Sequence, residues 1–123
     1  MRRETRQRRA IRETLEAAGH PLSPAEILGA AKARVEGLGI ATVYRNLEYL
    51  LGEGWIDPVA LPWEAPRYEV AGKDHHHHFL CRACDKVYEV DGCPGNVRSV
   101  APQGFRVEDH ELVLYGVCKT CSH

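Results

Sequence analysis

Apolar positions recur at helical spacing through the first fifty residues and at alternating spacing thereafter. Residues 5 to 18 set Ala10, Ile11, Leu15 and Ala18 on one face, with charge elsewhere and Gly19 where a C-terminal cap belongs. A second helix is announced by Ser23 as N-cap, Pro24 in the first turn and Glu26 as the capping-box acid, ahead of Ile27, Leu28, Ala31 and Val35. After a turn at Gly37 to Gly39, a third apolar stripe runs through Ile40, Val43, Leu47, Leu50 and Leu51, and Gly52 and Gly54 end it. Two strands follow, Trp55 to Leu61 and Arg67 to Val70, around a loop holding Pro62 and Pro66. This order predicts a winged helix-turn-helix domain over residues 1–72, the alternative being a small helical bundle with a hairpin. The winged form is favoured by the outer face of the third helix. There Thr42, Arg45 and Tyr49 are expected opposite the apolar stripe with Tyr44 at its flank, side chains suited to phosphates and base edges.

The pattern changes at Gly72. A strand is expected from His76 to Cys81, a turn at Asp85, a strand from Val87 to Val90, a short helical or irregular stretch over 92–101, and an alternating strand from Phe105 to Cys118. Residues 73–123 thus read as a small α/β domain, which makes the whole chain α+β. About fifty residues bury too little apolar surface to stand alone, so this domain needs a metal, a partner subunit or both.

Composition refines the picture mainly through where the charges lie. The 123 residues carry a formal charge of -1, which argues against a uniformly basic nucleic-acid coat. Yet Arg2, Arg3, Arg6, Arg8, Arg9 and Arg12 stand against Glu4 alone in the first twelve residues, a local anion-binding segment in which Arg6 and Arg9 are candidates for DNA contact. No apolar run approaches the ~18 residues that span a bilayer, and no apolar core follows the arginines as in a secretory signal. A cytoplasmic protein without a membrane partner is expected. In that reducing compartment, spaced thiols serve as metal ligands rather than disulfide partners.

Cys81-x2-Cys84 and Cys118-x2-Cys121 have the spacing that lets one tight turn present two sulfurs to a tetrahedral ion. Four thiolates close the coordination sphere, so this zinc is structural and not catalytic. A redox CxxC would sit at a helix start and would not require the second pair. His75, His76, His77 and His78 form an extended run, so His76 and His78 face one side and His75 and His77 the other. Glu69 and Glu89 flank the run and could join one imidazole pair, a nitrogen and oxygen set that suits Zn, Fe(II), Mn or Ni. Solvated histidines or an expression tag are the alternatives; a tag lies at a terminus and is longer.

The segments TRQRRAI at 5–11, ATVYRNLEYL at 41–50, HHHHFLCRAC at 75–84, KVYEV at 86–90 and HELVLYGVCKTC at 110–121, in this order and spacing, resemble the ferric uptake regulator family over essentially the whole chain. The resemblance implies a homodimeric, metal-dependent repressor of metal uptake genes that binds double-stranded operator DNA, its second domain serving dimerisation. It places Thr42, Tyr44 and Arg45 in a recognition helix and Cys81, Cys84, Cys118 and Cys121 at a structural zinc. By the same positions Glu69, His76, His78 and Glu89 match a regulatory site, and His75, His77 and His110 a further site in the dimerisation domain. Two positions depart from the family pattern. Pro21 stands where many members carry a histidine, leaving His20, one residue early, as either a ligand or a solvated loop residue. Asn96 stands near where an acid is usual, with Cys93 or Glu108 as the substitutes at hand. The peroxide-sensing branch carries aspartates in place of Glu69 and Glu89, which disfavours that role here. The histidine density and spare thiol tilt the regulatory metal toward Zn over Fe(II), with Mn(II) behind, and so toward the zinc uptake branch.

Two other classes compete. A zinc hydrolase or deaminase would need an open metal position and, for a deaminase, H-x-E followed by P-C-x-x-C; Leu80 precedes Cys81 and the H-x-E is missing. A metal storage or chaperone protein explains the ligands but leaves the winged-helix half without a purpose. The expectation is a regulator and not an enzyme.

Overall fold

The computed structural model describes residues 5–122, and the expected arginines Arg2 and Arg3 lie outside them. The chain divides into two compact units, the first ending at Lys73 and the second beginning at Asp74.

In the first unit, α1 (Arg6–Ala18), α2 (Pro24–Ala31) and α3 (Ile40–Gly52) precede an antiparallel hairpin of β1 (Ile56–Leu61) and β2 (Glu64–Val70). Each helix starts where its sequence provides an acceptor or a conformational break. Thr5 Oγ1 accepts from the Arg8 amide at 3.0 Å, and Gly19 closes α1 in the left-handed region at φ 69°. Ser23 and Glu26 form a reciprocal capping box: the serine hydroxyl accepts from the Glu26 amide at 3.1 Å while Glu26 Oε1 accepts from the Ser23 amide at 2.9 Å. Ile11, Leu15, Ile27, Ala31, Leu38, Val43, Leu47, Leu50 and Ile56 then form one continuous core. Leu22 and Tyr68 exchange backbone hydrogen bonds at 2.9 and 2.8 Å, which ties the α1–α2 connection to β2 as a bridge. These elements form the winged helix-turn-helix.

Four expectations for this unit need correction. Helix α2 stops at Ala31 instead of continuing to Val35, because the Ala33 and Arg34 amides turn back to the carbonyls of Ala30 and Ala31, tightening the chain to three-residue bonds. Ile40, first member of the third stripe, is exposed: it stands in the first turn, outside the core shared by Val43, Leu47 and Leu50. Tyr49 packs half-buried against the core instead of opposite it. At about 100° per residue it lies roughly 120° from Val43, on the flank that also carries Thr42 and Asn46. Pro66 also falls inside β2 and not in the preceding loop.

The second unit is a three-stranded sheet in the order β4-β3-β5, with β3 (His77–Cys81) central, β4 (Val87–Val90) antiparallel to it and β5 (Val113–Gly116) parallel. One 3-10 turn, Val97–Val100, lies between β4 and β5. The expected strand from Phe105 to Cys118 shrinks to β5. Alternation alone does not make a strand: β3 is short, and upstream of Leu112, whose carbonyl accepts from the His78 amide at 3.2 Å, it offers nothing to pair with. His76 likewise precedes β3 rather than opening it. Buried apolar side chains here are few, chiefly Leu80, Val87, Cys81 and Cys118.

Replacing Ser23 with alanine removes one half of the capping box and should lower the stability of the first unit by about 1 kcal/mol. Chemical denaturation followed by helical circular dichroism, at fixed metal content, checks this.

Candidate metal centres and DNA-facing helix

The hairpin of β3 and β4 places one thiol pair at the end of β3, and the segment after β5 brings up the other. One donor atom from each of Cys81, Cys84, Cys118 and Cys121 lies within 4.8 Å of all the others. Cys84 Sγ is 3.8 Å from Cys118 Sγ. The local backbone is already arranged for anionic sulfur: the amides of Cys84 and Cys118 donate to Cys81 Sγ at 3.4 and 3.3 Å, and these bonds bring its pKa down to about 6. The Tyr88 hydroxyl holds Cys118 below the ordinary thiol range, with the Cys121 amide assisting. Cys121, hydrogen-bonded to the Cys118 sulfur and partly screened from water, is pushed up to about 12. Some sulfurs are thus readily anionic and others hold protons, the division expected of a crowded set whose charge a cation would balance.

Tyr88 went unnoticed in the sequence. It pairs with Phe79 across the hairpin and so shares the face of Cys81, a position that the hairpin register would have revealed.

On that same face, at the other end of β3, His77 is buried at 2 % exposure. Its ring lies 4.5 Å from that of His75 and 5.0 Å from that of His110, centre to centre. His75 and His110 are 4.9 Å apart. Burial, with His75 and His110 beside it, holds the His77 pKa below the usual histidine range, favouring the neutral imidazole that metals bind. Cys93 joins this cluster, its Sγ 3.2 Å from His110 Nε2. Glu108 does not; its carboxylate meets Arg106 at 3.2 Å and is largely exposed.

The opposite face carries the remaining histidines. The His76 and His78 rings are 4.8 Å apart, His76 Nδ1 lies 2.7 Å from the Asp74 carbonyl, and Glu89 stands directly across the ladder from His78. Glu89 belongs to none of the close donor groups among the described residues. In the first unit, Glu69 is buried on β2 with Lys73 Nζ 3.7 Å from its carboxylate, and His20 Nδ1 lies 2.9 Å from the Ala18 carbonyl.

On α3, Tyr44 and Arg45 face solvent, and Arg45 Nη2 donates to Thr42 Oγ1 at 3.0 Å. Arg6 and Arg9 are exposed on the first turn of α1. Arg8, unremarked within the arginine run, joins α1 to α3: its Nε donates to Asn46 Oδ1 at 3.0 Å, and its guanidinium lies 3.8 Å from the centre of the Tyr49 ring.

The family model described as "Ferric uptake regulator family" matches residues 2–115. The "Ferric uptake regulation protein" of Campylobacter jejuni is 32% identical over 125 residues, covering 97% of this chain and 79% of its own. Among solved structures, a zinc-bound manganese uptake regulator matches with a TM-score of 0.83 at 30% identity, covering 95% of this chain and 91% of that one. The ferric uptake regulator of Helicobacter pylori, described as having three functional metal-binding sites, matches with a TM-score of 0.76 at 28% identity, covering 98% and 83%.

Because the second unit buries so little else, Cys118→Ser should cost it its fold while leaving the helices of the first unit intact. The measurement is zinc content together with amide protection of Val87 and Leu80 against that of Ile11 and Leu47; a protected second unit in the zinc-free variant contradicts the assignment.

Proposed function

Since the chain belongs to the ferric uptake regulator family and is a metal-responsive transcriptional regulator, not an enzyme, we propose that it is a repressor of metal uptake or homeostasis genes, activated by zinc. The observation that carries this reading is the union in one chain of a winged helix with a solvent-facing α3 and a unit built around metal donors. DNA enters through α3. Arg45 reads a base edge or phosphate, Tyr44 offers ring and hydroxyl, and Thr42 positions Arg45 through the hydrogen bond between them. Tyr49 serves as the platform beneath Arg8, and Arg6 and Arg9 contact phosphates. Arg6 also lines a basic concavity with Lys32 and Arg34, which suits a phosphate backbone.

Zinc on Cys81, Cys84, Cys118 and Cys121 is the structural metal, holding residues 73–123 as the dimerisation domain beside a DNA-binding domain of residues 1–72. The regulatory metal takes Glu69, His76, His78 and Glu89, and by linking ligands from both domains it selects the DNA-competent arrangement of a dimer. Zinc is favoured over Fe(II), and Fe(II) over Mn(II), because paired imidazoles with carboxylates suit a borderline cation. Exposed Phe105, Leu114, Tyr115 and Val117 on the second unit support a second copy of the chain as partner. No helix among the described residues is long and apolar enough to cross a membrane, which is compatible with work on DNA in the cytoplasm.

Fluorescence anisotropy with operator DNA tests this. Binding should require metal, and Arg45→Ala should weaken it by roughly 1–3 kcal/mol. Joint replacement of His76 and His78 by alanine should abolish the metal response while the cysteine-bound zinc stays in place. Metal-dependent binding that survives the double replacement moves the switch away from these ligands.

A further inference from the structure

Cys93 is the one cysteine outside the paired motifs, and it is exposed, so it does not serve as a packed apolar side chain. Its sulfur and one ring nitrogen from each of His75, His77 and His110 lie within 4.8 Å of one another. A tetrahedral zinc with bonds of 2.0–2.3 Å holds its ligands about 3.3–3.7 Å apart, so only a small contraction separates this cluster from a coordination sphere. A second observation points the same way. His77 Nε2 is fully buried and finds no hydrogen-bond partner, although a buried polar nitrogen normally has one.

Gly95, at φ 81°, bends the chain two residues after Cys93, in the segment that carries Asn96 and not an acid. His110 is fixed from its own side, its amide donating to Asp109 Oδ1 at 2.8 Å. The cluster opens onto a concavity of about 520 Å3 that gives an ion a way in.

We propose that Cys93, in place of an acid, completes the site that the family resemblance implies at His75, His77 and His110, and that this thiolate is the ligand that sets its preference for zinc, apart from both the four-cysteine site and the regulatory site. A carboxylate at this point would admit Mn(II) or Fe(II); a thiolate turns the preference toward Zn(II) and Co(II) and ties metal retention to the state of one reactive sulfur. A nucleophilic pair made of Cys93 and His110 alone is the competing use of the same contact, but it leaves the buried, unpartnered His77 and the adjacent His75 without a role. The site lies wholly within one unit and does not depend on DNA binding.

The test uses the full chain, reduced and anaerobic, with one zinc per chain already in the four-cysteine cluster, and contains no DNA. Added Co(II) should give tetrahedral ligand-field bands with a thiolate-to-cobalt charge-transfer band. Cys93→Ala should remove the charge-transfer band and lower zinc affinity at this site by at least about tenfold in chelator competition, since even loss of an outer partner costs that much. Cys93→Asp should restore binding without the band and raise Mn(II) relative to Zn(II). Site-resolved mass spectrometry after maleimide treatment should find Cys93 labelled before zinc is added in excess of the remaining sites and protected after it. A charge-transfer band that persists in Cys93→Ala, an unchanged zinc affinity at this site in that variant, or equal labelling with and without excess zinc overturns the proposal. Because Cys93 is exposed, its replacement empties no core, and circular dichroism of the variants should match that of the parent.

Discussion

The second unit rests on four sulfur atoms that have to be neighbours. Leu80 and Val87 are nearly all the aliphatic surface it buries beyond the cysteines themselves, far short of what ordering some fifty residues costs. The sheet is likewise too small to hold by its ladders. What closes it is the meeting of a turn after β3 with the segment after β5, parts of the chain more than thirty residues apart, at one point where amides and a tyrosine hydroxyl already favour thiolate. A four-sulfur zinc, as proposed for this point, would supply on the order of 10–16 kcal/mol, enough to offset a poor apolar core.

The first unit is organised by the opposite economy. Its helices meet on one continuous apolar cluster, and its polar contacts steer rather than hold. Arg8 shows the difference. Stacked on Tyr49 and bound to Asn46, it fixes the angle of α1 to α3 and leaves Arg45 and Tyr44 turned to solvent. The buried Arg67, held by Glu26 at 3.5 Å and Glu64 at 3.1 Å, does the same for the hairpin. Packing provides the stability and the ion pairs provide the geometry.

Much of this was legible in the sequence where local chemistry alone decides. The Ser23, Pro24 and Glu26 signature, the Gly19 cap and the paired cysteine spacing each name their structure without reference to anything distant. What escaped depends on neighbours brought from elsewhere. The alternation from Phe105 onward is a real strand signal that lacked a partner, so only Val113–Gly116 became β5. Ile40 fits the helical stripe but falls outside the core it was expected to join. Tyr49 stands opposite the stripe only if a flank is taken for the far side, and the roles of Tyr88 and Arg8 follow from strand register and helical phase, which composition does not carry. For Cys93 the sequence offered a thiol near a gap in the ligand set; only the fold puts that sulfur beside His110.

Gly116 lies against this arrangement in a way that no ligand list records. A methyl group there would come within 3.1 Å of the Phe79 ring, tighter than side chains ordinarily pack. Phe79 occupies the same face of β3 as His77 and Cys81 and stands between them. Crowding at 116 would therefore press on both donor clusters at once. Natural variation or engineering at this position could detune both donor clusters together without changing any of their donor atoms.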